Sequence, residues 1–284
     1  LHRLAREGVG VIFLSGKRLR FSGRLHGERH SNARLRVLQY QKTLDRQSAL
    51  LTAKDVVLRK VSCQRVLLAD AMERRPDLRL ELFTAHNSIN EMLPSIEDAC
   101  EAEVLRGLEG SAAARYFGAF VHLFPPSLGF TKRVKRPPGD PVNALLSLGY
   151  TMLHFEIVRE IELIGLDPVL GFLHQFDYGR ESLACDLVEP YRPAVDRWTW
   201  ELFRERVFTD RDFTDGEERP GCYLKKEARR RYYELYEAWA GQQRSLWTEE
   251  ARRIARSIND GEDPVPAGEQ RIDGEEGRSV APDS

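Results

Sequence analysis

Apolar positions along this chain fall into two textures. Near the start, GVGVIFLS (Gly8 to Ser15) is a continuous β-branched and apolar run bounded by Gly16, which predicts a buried strand. GKRLRFSGRL (Gly16 to Leu25) alternates as a partner strand does, and LHRLAREG before them reads as the end of a helix feeding the first strand. After HGERHSNARL the spacing changes. Leu35, Leu38 and Tyr40, then Leu50, Leu51, Val56 and Val57, recur at threes and fours, the period of helices.

Four helical stretches stand out beyond that point. DVVLRKVSCQRVLLADAMERRP is one amphipathic helix stopped by Pro76. Residues 88–124 hold two, the second running from about Ser95 to Phe124 ahead of Pro125 and Pro126. DPVNALLSLGYTMLHFEIVREIELIG is opened by Asp140 and Pro141 as cap and first turn, and closed by Gly165. The last strong pattern lies in KKEARRRYYELYEAWAGQQ, whose interleaved Arg and Tyr suit either a nucleic-acid groove or an amphipathic helix with an aromatic core face.

The expected fold class is mainly α with a small N-terminal β part: 1–32 a partial β domain, 33–255 a large helical domain, and 256–284 a disordered acidic tail. That tail is rich in Gly, Pro and acidic residues and has too few large apolar groups to form a core. The chain opens on Leu1 rather than Met, so a fragment lacking its N-terminus is expected. No internal repeat is evident.

Composition narrows the class. Of 284 residues, 42% are hydrophobic and 31% charged, as in a soluble globular protein. No apolar run approaches the ~20 residues of a membrane helix and no signal peptide is evident, so a cytoplasmic location is the expectation. Cys63, Cys100, Cys185 and Cys222 form no CxxC pair, which argues against a zinc knuckle or disulfide framework and for buried thiols. The net charge of −1 conceals a partition: from Arg256 on there are eight acidic and three basic residues, leaving a body of about +4. Leu1 to Arg36 holds nine basic and two acidic residues, and TKRVKR (Thr131 to Arg136) four basic and none acidic. Such stripes suit a polyanion, or simply a solvated surface.

Candidate chemistry then centres on a few residues. Glu109 shares a helical face with Ala113, Tyr116, Phe117 and Phe120, where a carboxylate needs a partner; Arg106 one turn earlier is the plain alternative. His174 ends the apolar segment DPVLGFLH. Asp186 and Glu189 lie three apart, on one face if SLACDLVE is helical, with Ser182 as N-cap and Pro190 expected to kink or break the helix at Glu189. Each has a structural explanation, as a hydrogen-bonded core histidine or a solvated first turn. Together they make an oxygen-rich set with one imidazole, which suits Mg²⁺ or Mn²⁺ and, beside basic stripes, a phosphodiester substrate. No P-loop, GxGxxG, GxSxG or HExxH is present.

These stretches resemble a known family. LEGSAAARYFGAF, RPPGDPVNALLSLGYTMLHFEIVREIELIGLDPVLGFLH and GRESLACDLVEPYRP are similar to the motifs of the CRISPR-associated adaptation integrase and endonuclease (Cas-one), and the likeness extends to about Ala255. The resemblance implies a β-sandwich remnant followed by a helical catalytic domain, a homodimer, and a small partner, Cas-two. It also implies capture of double-stranded prespacer DNA and joining of its 3′-hydroxyls to the CRISPR repeat by transesterification. Metal ligands then fall on Glu109, His174 and Glu189, with Asp186 a catalytic neighbour.

The resemblance also frames the expected DNA contacts: Arg115, Lys132, Arg133, Arg136 and Arg180, and His154, which stands where many members carry tyrosine and either faces DNA or packs. Cys63 replaces a common asparagine. From another class, the alternative is a non-catalytic helical DNA-binding or scaffold protein whose Glu, His and Glu are structural.

Overall fold

The computed structural model describes residues 1–7, 11–15, 20–25, 32–174, 179–216 and 220–259. A short helix α1 (His2–Arg6) precedes strands β1 (Val11–Ser15) and β2 (Arg20–Leu25), which pair antiparallel with a bulge between Phe13 and Leu14. The predicted strand order is therefore present, although Gly8–Gly10 and residues 16–19 of those runs lie outside the described residues. Helices α2 (Ala33–Leu44), α3 (Arg46–Arg74), α4 (Arg79–Asn90), α5 (Leu93–Glu97), α6 (Ala102–Phe120) and α7 (Pro141–Ile164) follow. Then come α8 (Ser182–Val188), α9 (Arg192–Arg204), a small hairpin of β3 (Phe213–Asp215) and β4 (Cys222–Leu224), and α10 (Lys226–Ile258). The fold is mainly α with a small β part, as expected, and no described helix is long and apolar enough to cross a membrane.

Local chemistry sets several helix ends. The side chains of Asn32, Asp45 and Asp140 accept the backbone N–H of Leu35, Ser48 and Asn143 at 3.0, 2.8 and 2.8 Å, so each satisfies a donor that the first turn leaves open. Pro141 occupies the first position of α7, and Gly165 ends that helix at a φ of +94°, a left-handed value that glycine adopts without strain.

Two boundaries differ from expectation. The helix predicted from Ser95 is two: Glu101 is extended, and a new helix starts at Ala102. The turn between them puts both Ile96 and Leu105 fully in the core, a gain in burial that a single straight helix does not offer. At the other end, α10 passes residue 255, because Trp247, Ala251, Ile254 and Ile258 continue its apolar stripe. The expected tail therefore starts no earlier than Asn259, and residues 260–284 lie outside the described residues.

At about 43 Å, α3 is the long internal strut, packed against α4, α6 and α9, while α7 packs against α8, α9 and α10. Trp198 stacks on Trp239 at 5.2 Å beside Tyr232 and Tyr236, so the Arg/Tyr pattern of α10 marks a core face rather than a nucleic-acid groove. All four cysteines are free; Cys222 is buried, but Cys63 and Cys100 are exposed, contrary to the expectation of buried thiols.

One buried amide fixes the basic segment to the bundle. Asn143 Nδ2 donates to Lys132 O (2.9 Å) and Asp140 Oδ2 (2.6 Å), while its Oδ1 accepts from Val134 N (2.9 Å) and Arg133 (2.8 Å). Asn143→Ala strands these groups and is expected to cost about 2–3 kcal/mol in urea unfolding, with faster tryptic cleavage at Lys132 and Arg133.

Candidate metal centre and nucleic-acid interface

The buried face of α3 contains a residue that does not belong on an apolar stripe. Between Val56 and Val57 on one side and Val61, Leu67 and Leu68 on the other stands Lys60, only 7% exposed. Its ammonium meets two carboxylates from distant parts of the chain. It donates to Glu109 Oε1 on α6 and lies 2.5 Å from Glu189 Oε2, at the junction of α8 and α9. Burial by itself would lower the Lys60 pKa, but Glu189 and Glu109 reverse this and raise it.

Glu189 is held from a second side by Arg192, whose Nε lies 3.0 Å from Oε1. Burial would raise the Glu189 carboxyl; Arg192, Lys60 and His174 instead draw it down to about 2. The Lys60 contact is a close, charge-assisted one between two buried groups. Glu109 thus has Lys60 as its partner, not the neighbouring Arg106 expected from helical spacing.

His174 is positioned by a different carboxylate. Asp186, fully buried, accepts the backbone N–H of Phe172 (2.6 Å), Leu173 (3.0 Å) and His174 (3.0 Å), and its Oδ1 lies 2.7 Å from His174 Nδ1. An acceptor with three N–H donors takes a fourth proton donor in Nδ1–H, which leaves the Nε2 lone pair as the ring's free donor atom. The loop is tied on its other side by Gln39 of α2, which donates to Asp167 O and Leu170 O at 2.8 and 3.0 Å. Gly171 is required here: a Cβ would sit 2.7 Å from Asp186 Oδ2 and 2.7 Å from the Ser182 carbonyl carbon.

One local expectation fails and one holds. Ser182 is the first residue of α8 rather than its cap; the preceding Glu181 makes no side-chain cap bond, and the first-turn N–H of Leu183 is taken by Pro168 O at 2.9 Å. The α-helix does stop at Val188, as Pro190 leads one to expect, although Glu189 itself keeps helical angles (φ −54°, ψ −47°). The backbone tightens into a 3₁₀ turn over Glu189–Tyr191 and runs on into α9, with Pro in a first-turn position that needs no N–H.

A third buried carboxylate braces the site from behind. Asp196 of α9 accepts from Tyr116 of α6 at 2.9 Å and from Tyr150 of α7. The guanidinium carbons of Arg192 and Arg133 lie 4.7 and 5.2 Å from the Tyr150 ring centroid. Burial pushes the Asp196 carboxyl up to about 6, against the lowering effect of the two tyrosine hydroxyls.

The expected DNA-contact residues divide. Lys132, Arg136 and Arg115 are exposed, with Arg115 bonded to Ser111 on its own helix. Arg133 is not available to phosphates: it donates to Val134 O (2.6 Å), Asn143 (2.8 Å) and Ser147 (3.1 Å). His154 packs rather than facing outward, its Nε2 2.8 Å from Glu181 Oε2, and its pKa is raised to about 9 because Cys185 and Glu181 outweigh burial. Arg180 is half-buried beside Cys185, and residues 175–178 between histidine and helix lie outside the described residues.

Similarity to known proteins points the same way as the motifs. The profile of the family described as CRISPR associated protein Cas1 matches residues 1–238. A CRISPR-associated endonuclease Cas1 of Thermodesulfovibrio yellowstonii is 49% identical over 93% of this chain and 83% of its own length. The chain belongs to the Cas1 family. Among solved structures, a casposase bound to integration product superposes with a TM-score of 0.81 at 22% identity, over 97% of this chain and 79% of that one, which speaks to the fold. A Cas6-RT-Cas1–Cas2 complex gives 0.79 at 26% identity, over 91% of this chain and 29% of that one.

Against the ligand set that Cas1 resemblance implies, the structure brings Glu109 and Glu189 to one cation, Lys60, and places His174 close enough to lower the Glu189 pKa. Among the described residues, no three His, Cys, Asp or Glu side chains already surround a common point. The donor chemistry nonetheless fits a hard divalent ion: two carboxylates converge on one positive charge, and the His174 ring is oriented by Asp186 through Nδ1. The Asp186 oxygens are taken up by three backbone N–H groups of the loop and by His174. Lys60 and Arg192 were missed in the sequence, although a lysine on the Val56–Leu68 stripe is the signal that reveals the first.

Gly171→Ala forces Asp186 and the Ser182 backbone apart. It is expected to lower stability by about 1–3 kcal/mol in urea unfolding and to broaden the His174 imidazole resonances. Asp196 gives a pH test. Its folded pKa, about 6, lies above that of an ordinary aspartate, so its share of stability is complete below about 4 and is lost as pH rises through 6. Asp196→Asn is therefore expected to gain on wild type between pH 4 and 7.5 by up to about 3 kcal/mol, read from urea midpoints at both pH values.

Proposed function

We propose that this chain is a metal-dependent DNA endonuclease and integrase of CRISPR spacer acquisition, with Glu109, His174 and Glu189 holding Mg²⁺ or Mn²⁺. The observation that carries the proposal is the meeting of Glu109 and Glu189, eighty positions apart in sequence, on one buried positive charge beside an Asp186-oriented histidine. The names of its relatives support the activity class, and the Cas1–Cas2 assembly among similar structures supports a Cas2 partner, with a homodimer as the working unit.

Each residue then has a physical task. Lys60 and Arg192 keep Glu189 ionised in a buried setting, so a carboxylate rather than a carboxylic acid faces the reacting phosphate. Asp186 fixes the His174 tautomer, and the Asp196–Tyr150 pair holds Arg192 from behind. When bound, the ion supplies charge to the phosphoryl oxygens and lowers the pKa of the attacking 3′-hydroxyl or water. Exposed Lys132, Arg136 and Arg115 supply positive charge for the DNA backbone.

The competing proposal, a non-catalytic helical DNA-binding protein, draws on the same Lys60, which already neutralises the carboxylates as a structural ion pair would. Strand-transfer assays with a prespacer duplex and a repeat-containing target separate the two. Glu189→Gln is expected to keep DNA binding and the circular-dichroism spectrum. It should lose more Mn²⁺-dependent joining than the ~10–100-fold that loss of an outer partner costs. Joining at the wild-type rate would favour the structural role.

A further inference from the structure

Charge balance at the Glu109–Glu189 pair leads to a specific consequence for how the site fills. Two carboxylates face two paired cations, Lys60 and Arg192, with Lys135 close enough to act on both Glu189 and Lys60, so the cluster has no negative charge to spare. Lys60 Nζ contacts an oxygen of each carboxylate, which is where a cation shared by both must sit. A divalent ion entering this cluster meets like charges at contact range and must displace the ammonium from at least one oxygen. The lysine cannot simply leave: it is buried on the apolar stripe of α3, and an ammonium without its carboxylates is strongly unfavourable there.

We propose that Lys60 is the resident cation of the carboxylate pair, and that it makes divalent-ion binding conditional on DNA. A DNA phosphate at the site adds the negative charge that both the incoming ion and the displaced ammonium need. In the absence of DNA, Lys60 competes with the ion; with DNA, the ammonium turns from a carboxylate oxygen to a phosphate oxygen. By linkage, the factor by which DNA tightens ion binding equals the factor by which the ion tightens DNA binding. A site built this way stays closed to free divalent ions and forms its nuclease centre only on substrate. The proposal rests on the ligand assignment above.

The test is Mn²⁺ binding followed by the loss of the free-ion electron paramagnetic resonance signal, with full-length chain, with and without a duplex whose 3′ ends are dideoxy and cannot be joined. Wild type is expected to bind Mn²⁺ about tenfold or more tightly with the duplex than without it. Lys60→Met, which keeps the length of the stem but not the charge, is expected to bind Mn²⁺ about tenfold more tightly than wild type without DNA, and to lose most of the DNA dependence. If Lys60→Met does not fold, Lys60→Gln is measured in its place, and the wild-type comparison stands on its own. Equal or weaker Mn²⁺ binding by the lysine variant, or wild-type affinity indifferent to DNA, overturns the proposal. Glu109→Gln and Glu189→Gln test the underlying assignment separately: Mn²⁺ bound as tightly as in wild type in both places the ion elsewhere, whatever Lys60 does.

Discussion

A buried lysine between two carboxylates is the constraint on which the rest of this structure depends. Lys60 sits inside the bundle, and the ammonium is tolerated there only because α6 delivers Glu109 and the α8–α9 junction delivers Glu189. Removing either carboxylate leaves a buried charge partly unpaired, a change that typically costs about 3–5 kcal/mol. The packing of α3 against α6 and against the Glu189–Tyr191 turn is thereby specified by electrostatics as well as by apolar contact. Hydrophobic packing alone would tolerate a small rotation of α3; the paired charges do not.

Charge pairing spreads outward from that point through aromatic rings. Arg192 reaches from Glu189 to the face of Tyr150, and Arg133 lies over the same ring. Tyr150 and Tyr116 in turn share Asp196, so α6, α7 and α9 are joined at a single carboxylate. Because Arg133 is also bound to Asn143, the backbone of the basic segment and the carboxylate at the centre belong to one connected network. A displacement of that segment by bound DNA has a direct physical route to Glu189 through Arg133, Tyr150 and Arg192.

How far all this was legible in the sequence depends on whether an interaction is local. The strand pair, the periodic helices, the Asp140–Pro141 start of α7 and its Gly165 stop are set by neighbours in the chain, and spacing revealed them. The split at Glu101 and the extension of α10 to Ile258 were not, because burial of Ile96, Leu105 and Ile258 is decided by other helices. The same divide runs through the site. His174, Asp186, Glu189 and Glu109 were singled out by residue type and motif, but their partners came from far away: Lys60 from α3, Gln39 from α2. Arg133 looked like its exposed neighbours Lys132 and Arg136, since nothing in a run of basic residues shows that one of them meets a buried asparagine ten positions on.

Asp186 and Glu189 show why residue type and spacing stop short of role. Three apart at the end of one helix, they are nearly equivalent by pattern, yet each is fixed by what approaches it. Gly171, lacking a side chain, lets the 171–174 backbone come close enough for three amides and an imidazole to use up the oxygens of Asp186. Beyond it, the 3₁₀ turn at Pro190 carries the chain on toward α9 with Glu189 facing α3, where it finds only cations and no aligned amide. A carboxylate saturated with backbone N–H groups can orient a neighbour but has no lone pair left to ligate; one held by the cationic ends of flexible side chains can exchange one cation for another. The division of labour between a positioning aspartate and a ligand-type glutamate therefore follows from which of them the glycine loop reaches.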